Sequence, residues 1–348
     1  MKGSVLKKFL CTCLVTAAAF AATTISASAC TTIYVGGDLV EEGTPFVART
    51  EDYGSDYNKL WFISESGKWK QGDHYVGCPE YGPFEWDFTH DSYRFTYFTN
   101  DIYYDGICPE CGEKADHYSY TEFGTNEKGV SVSATETLYG NEKVTEADPY
   151  RDAEWAEANK SERIGIEETD IPTIILAEAS SAREGVKLLL DIYENYGCVY
   201  ASGVFICDKD EVWYIENCSG TQYVAIKLND NMIFLEPNMA VIGRIDLDDE
   251  NVIASKDLIA VAKKAGTFVG DEAKNIIDFR ASYARISEKM DQRMIDGLNY
   301  LNATYKYDSD ALVADNTKFT ISNLDASDKL VALYTNIKAD RKLDKDDV

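Results

Sequence analysis

Histidine is nearly absent from this chain: its 348 residues include three, His74, His90 and His117. A catalytic centre built on histidine has little to draw on. Positive charge is scarce as well. Lysine and arginine together number 34 against 60 aspartates and glutamates, a formal net charge of −26. So acidic a surface repels nucleic acid and anionic membranes, and no nucleic-acid partner is expected. It attracts cationic groups, peptide amino termini among them, only weakly at physiological salt. There is no internal repeat, which excludes a solenoid. The apolar stretch near the start, residues 9–22, falls short of the ~20 residues that a membrane span needs.

That stretch has the layout of a processing signal. Lys2, Lys7 and Lys8 precede it, and Ala27-Ser28-Ala29 follows, with small residues at the third and first positions before a cut. Residues 1–29 are expected to be a signal peptide, which makes the product secreted or extracellular, with no stable membrane insertion after processing. Two other readings stay open. The segment is retained as an anchor, or Cys30 is lipidated as in bacterial lipoproteins, although Ala27 stands where that signal usually has Leu. What remains after a cut, residues 30–348, is enough for one large core or two modest domains. Loss of three lysines moves the net charge from −26 to about −29.

Cys11 and Cys13 leave with the signal, and seven of the nine cysteines remain: Cys30, Cys78, Cys108, Cys111, Cys198, Cys207 and Cys218. An odd count in an exported protein implies at least one free thiol. Cys30 is the natural candidate. Cys108-Pro109-Glu110-Cys111 has the spacing of half a zinc knuckle, with Cys78 upstream and His117 downstream. These four make either a structural zinc site or, in an oxidising compartment, disulfides.

Residues 31–35 alternate and are β-rich, turn residues follow, and 46–49 supplies a partner strand, so the mature chain opens with a hairpin led by Cys30. Residues 59–64 and 129–137 read as strands, and 70–120 as a long, aromatic-rich packed loop region. Residues 140–165 read as polar and exposed. Pro172 opens a helical stretch. A second helix over 181–196 places Ala182, Val186, Leu189 and Ile192 or Tyr193 on one face and ends at Gly197. Strands are expected over 199–207, 212–216, 223–228, 232–235 and 240–245, then helices over 256–265, 271–280 and 283–300. A polar tail follows, frayed at 342–348. This order implies a layered mixed fold.

A cysteine at a free N-terminus carries a nucleophile and a base in one residue. Its α-amine, ordinarily near pKa ~7.7–8.0, can exchange a proton with a thiol near ~8.5. No histidine is then required. Cys30-Thr31-Thr32-Ile33, followed by Arg49-Thr50-Glu51-Asp52, resembles the opening of the N-terminal-nucleophile cysteine hydrolases, which include penicillin V acylases, bile salt hydrolases and a family of bacterial dipeptidases. Residues 124–137, 172–184 and 212–216 favour the dipeptidase branch, and the resemblance covers about residues 30–300.

The resemblance implies an α+β fold, a four-layer αββα sandwich with an additional helical C-terminal part: catalytic domain 30–304 and C-terminal extension 305–348. On matching positions it implies Cys30 as the nucleophile, Arg49 as a cation favouring the thiolate, Asp52 as a carboxylate orienting amine and sulfur, and Asn238 as an oxyanion-hole amide. Taken alone, Arg49 and Asp52 also fit an ordinary ion pair, and Asn238 a turn residue. Glu136 departs from the acylase pattern, which has an oxyanion Asn on that strand; it either holds a substrate ammonium or is structural. The expected activity is a cysteine-type dipeptidase with a small peptide substrate and no catalytic cofactor. The rivals are an N-acyl amide hydrolase of the same fold and a non-enzymatic surface protein lipidated at Cys30.

Overall fold

Alternation in residues 31–35 becomes one arm of a hairpin. The structure, a computed structural model, describes residues 30–50, 59–77, 84–100, 121–136, 138–286, 292–301, 330–332 and 342–344. Within it β1 (Thr31–Val35) and β2 (Phe46–Thr50) pair antiparallel, with Thr32 opposite Arg49 and Tyr34 opposite Val47. Further along come β3 (Lys59–Ser64), β4 (His74–Val76), β5 (Glu85–Asp87), β6 (Phe95–Asn100), β7 (Phe123–Asn126) and β8 (Ser131–Glu136). After them come β9 (Ser202–Cys207), β10 (Val212–Asn217), β11 (Tyr223–Lys227), β12 (Ile233–Glu236), β13 (Ile242–Asp246) and β14 (Val252–Ala254). The last are β15 (Gly270–Asp271), β16 (Ile276–Asp278) and β17 (Leu330–Ala332). The α-helices are α1 (Glu142–Ala147), α2 (Ala153–Asn159), α3 (Ile171–Glu178), α4 (Ala182–Asn195), α5 (Leu258–Ala265), α6 (Phe279–Tyr283) and α7 (Gln292–Leu301).

Two sheets face each other. The small one runs β12-β1-β2, and the large one β14-β11-β10-β9-β8-β7-β6-β3, antiparallel throughout. Strand alternation sorts the large sheet's residues by face. Val204, Ile206, Trp213 and Ile215 join Ile174, Ile175, Leu189 and Leu190 of α3 and α4 in one buried cluster. Phe205 and Tyr214 point the other way. Their rings lie 5.8 and 4.6 Å from that of Phe234 on β12. Leu235, the next residue of β12, points outward, and α7 covers it: a Cβ on Gly297 would meet its side chain at 3.1 Å. The order is therefore helix, small sheet, large sheet, helices: an αββα sandwich. A third sheet, β15-β16-β13-β17, lies beside it.

α4 follows its sequence signals closely. Ser181 caps it by accepting from the Glu184 N–H, and Ala182, Val186, Leu189, Ile192 and Tyr193 are buried. Gly197 follows at φ +80°, where a side chain would be strained. Four expectations are corrected. Residues 70–120 are not simply loop: β6 sits inside the large sheet between β3 and β7. Its alternation is hidden because Phe98, on the open face, is as aromatic as Phe95 on the buried one. Residues 140–165 hold α1 and α2, capped by Asn141 and Asp152. Asp148 there is buried, accepting from Arg151, Ser219 and Thr221. Residues 271–280 form no long helix; β16 pairs with β13 instead, and α6 begins only at Phe279. Of the expected frayed stretch 342–348, residues 342–344 are described, and there Leu343 is buried with its backbone bonded to Leu39 and Glu41, so this part is anchored.

Candidate functional site

Strand register fixes where the Cys30 side chain goes. Residues directly opposite across a ladder share a face, and Tyr34 stands opposite Phe234, whose ring meets the large sheet. Thr32 and Cys30, two and four residues earlier, share that inward side. Arg49, opposite Thr32, shares it too. Cys30 is buried and not disulfide-bonded.

The Arg49 guanidinium ties the two sheets together. Its Nη1 donates to the carbonyl oxygens of Ala134 on β8 and, at 3.0 Å, of Glu122. Its Nη2 lies 3.4 Å from Cys30 Sγ and 3.7 Å from Glu168 Oε1. A cation held there, with its side chain only 9% exposed, stabilises a sulfur anion over the neutral thiol. Glu168 is itself buried, its N–H donating to the Tyr200 hydroxyl. It precedes α3, and nothing in its local sequence marks it as a partner of Arg49.

A second arginine, on α7, holds the other side of Cys30. Arg293 Nη1 donates to the Cys30 carbonyl oxygen, to Thr31 Oγ1 at 3.2 Å and to Asn238 Oδ1 at 3.0 Å; its Nη2 donates to the Pro237 carbonyl at 2.9 Å. One planar fork thus gathers the start of β1 and the turn after β12. A guanidinium only donates, so the Asn238 amide must present its oxygen to Arg293 and its NH2 elsewhere. Asn238 is also a turn residue, at φ +55° in the left-handed region that asparagine tolerates. The turn reading of Asn238 describes its backbone, and Arg293 ties its amide oxygen to the Cys30 carbonyl. Arg293 was missed, because a single arginine 263 positions from Cys30 leaves no local pattern.

Two buried carboxyls anchor that turn from beneath. Glu236 Oε1 accepts the Met239 N–H at 3.2 Å. Glu216 accepts the Val241 N–H at 2.6 Å, the Ile242 N–H at 3.2 Å and the Tyr214 hydroxyl at 3.0 Å. Burial pushes the Glu216 carboxyl up to about 8, against the pull of those hydrogen bonds and with a further push from Glu236.

The other expected site residues fall wholly or in their side chains outside the described part. Asp52 lies outside the described residues, as do Cys78, Cys108, Cys111 and His117. Glu136 ends β8 with its backbone opposite Ser202, and its side chain lies outside the described part. Among the described residues no cluster of three metal-binding side chains occurs, and no helix is long and apolar enough to cross a membrane.

Comparison with known proteins bears on this arrangement. The family model described as Peptidase family C69 matches residues 29–311. The chain is 32% identical over 304 residues to a probable dipeptidase B of Streptococcus pyogenes, covering 86% of this chain and 55% of that protein. It is 32% identical over 262 residues to a probable dipeptidase of Salmonella dublin, covering 74% and 53%. The chain spans about half the length of the curated relatives it matches. A solved structure of penicillin V acylase from Agrobacterium tumefaciens aligns at a TM-score of 0.30 and 14% identity, over 60% of this chain and 49% of that one. The chain belongs to peptidase family C69.

Proposed function

With membership of peptidase family C69 as the premise, we propose that this protein hydrolyses dipeptides through an acyl-enzyme on Cys30, after export and removal of residues 1–29. The observation that carries the reading is the inward-facing Cys30 sulfur with the Arg49 guanidinium 3.4 Å away. Relatives named as dipeptidases support the substrate class.

Removal of residues 1–29 turns the Cys30 nitrogen from an amide into an amine, and an amine can accept the thiol proton. The sulfur, held as the anion beside Arg49, attacks the substrate's scissile carbonyl carbon. A C–S bond forms and the carbonyl electron pair moves to oxygen. The Asn238 NH2 group, turned away from Arg293, stabilises that oxyanion. The oxyanion collapses, the C–N bond breaks, and the Cys30 ammonium returns its proton to the leaving amine. Water then adds to the thioester, the α-amine taking its proton, and the free acid leaves as the thiol is restored. Asp52 orients the amine in this scheme, and Arg293 keeps the Cys30 carbonyl and the Asn238 amide in fixed relation.

The test is to purify the chain with and without residues 1–29 and assay both on dipeptides, with mass spectrometry of the mature N-terminus. A free Cys30 amine and activity only in the shortened form are expected. Equal activity in the uncleaved form, or a lipid on Cys30, overturns the mechanism.

A further inference from the structure

Beside the Arg49 guanidinium lies a cavity of about 390 Å³, within the ~300–1,000 Å³ usual for small-molecule sites. Among the described residues it is lined by Val47, Ala48, Arg49, Lys59, Phe98 and Phe123, with Glu122 and Ser133 completing its wall. The walls are mostly apolar. The two charges besides Arg49 cancel, because Lys59 Nζ sits 2.7 Å from both Glu122 carboxylate oxygens.

Strand register explains the aromatic wall. Trp61, Phe98, Phe123, Ser133, Phe205 and Tyr214 stand opposite one another in sequence across β3, β6, β7, β8, β9 and β10, and so form one row on one face. The small sheet covers the Phe205 and Tyr214 end, where both are buried. It leaves the other end open: Phe98 is 37% and Phe123 40% exposed. Their rings stack at 5.8 Å and 22° and offer their faces beside the residue that touches the Cys30 sulfur. A stacked aromatic pair next to a reacting centre, in a wall where Lys59 and Glu122 neutralise each other, fits a flat apolar side chain.

We propose that this cavity receives a substrate side chain, that it selects dipeptides with an aromatic residue at the scissile bond, and that Phe98 and Phe123 set the selection. The assignment rests on the dipeptidase reading for its substrate and deepens it. Phenylalanine differs from alanine by a whole phenyl ring, of which so open a site buries a part, so the preference is about 10- to 100-fold in kcat/KM.

The experiment compares Phe-Ala, Ala-Phe and Ala-Ala with the full chain and with Phe98→Ala, Phe123→Ala and Ile63→Ala. Ile63 lies on the same open face of β3, away from the cavity, and its variant should keep the wild-type preference. The two phenylalanine positions are partly exposed, so their variants should fold. Each should lose most of the advantage that at least one Phe-containing dipeptide holds over Ala-Ala in kcat/KM. Binding of the same dipeptides to a Cys30→Ala chain is measured in parallel by calorimetry. Aromatic-selective binding without turnover in the wild type supports the subsite and refutes the dipeptidase reading. Turnover with no aromatic preference, a preference untouched by both phenylalanine variants, or no aromatic selectivity in either assay overturns the subsite.

Discussion

Across the inner face of the large sheet runs one row of residues, aromatic on either side of Ser133, with two environments. At β9 and β10, Phe205 and Tyr214 are sealed beneath the small sheet, their rings 4.6 Å apart. At β3, β6 and β7, Trp61, Phe98 and Phe123 lie on the same face and remain 54%, 37% and 40% exposed. Composition does not distinguish the two halves; coverage does. The small sheet has three strands against eight, so it ends partway across, and Arg49 and Cys30 stand at its margin. Covered aromatics hold the sheets together. Uncovered ones beside Arg49 and Cys30 are available to a ligand.

The sharpest test of that boundary is Cys30→Ala, which should abolish dipeptide turnover while leaving the thermal unfolding midpoint almost unchanged. Loss of the fold instead would make Cys30 a packing residue. Next in size is a pair of substitutions within the aromatic row. Phe205→Ala should cost about 3–5 kcal/mol in urea unfolding, through lost burial and a cavity. Trp61→Ala should cost under about 1 kcal/mol, since its site is open. Equal losses would erase the distinction between the halves.

Arg293→Ala should lower kcat about 10- to 100-fold with a much smaller change in KM, because it loosens the placement of Asn238 rather than a substrate contact. Steady-state kinetics separate the two, and a change confined to KM would count against it.

A further effect concerns pH. Glu216 is raised from its ordinary 4.5 to about 8 by burial. The folded state therefore holds a proton that the unfolded state releases between those values, and stability falls as pH rises from about 4.5 to about 8. Glu216→Gln, which stays neutral, should flatten that slope in chemical unfolding measured from pH 5 to 9. An unchanged slope would mean that Glu216 does not carry it.

Much of this was legible beforehand. The β1–β2 hairpin, β3, β8 to β13 and α4 follow from alternation, capping and turn residues that act over a few positions. β6 was not, because aromatics on both of its faces conceal the period of two. Nor was β16, whose three residues are held by pairing with β13 rather than by any local preference. Of the site, Cys30, Arg49 and Asn238 were legible through their motifs. Glu168 and Arg293 were not, since each meets its partner across more than a hundred residues of chain.

The sequence by itself determined that a cysteine follows an Ala-Ser-Ala end and begins an alternating strand, and that Arg49 lies on its partner strand. Local patterns carry such facts because strand period and turn chemistry are set by near neighbours. Only the tertiary structure decided which aromatic residues are covered, which arginine clamps the Cys30 carbonyl and which carboxyls anchor the Asn238 turn. Those depend on how far one sheet extends over another, and an alternating pattern records which face a side chain takes but not what lies opposite that face.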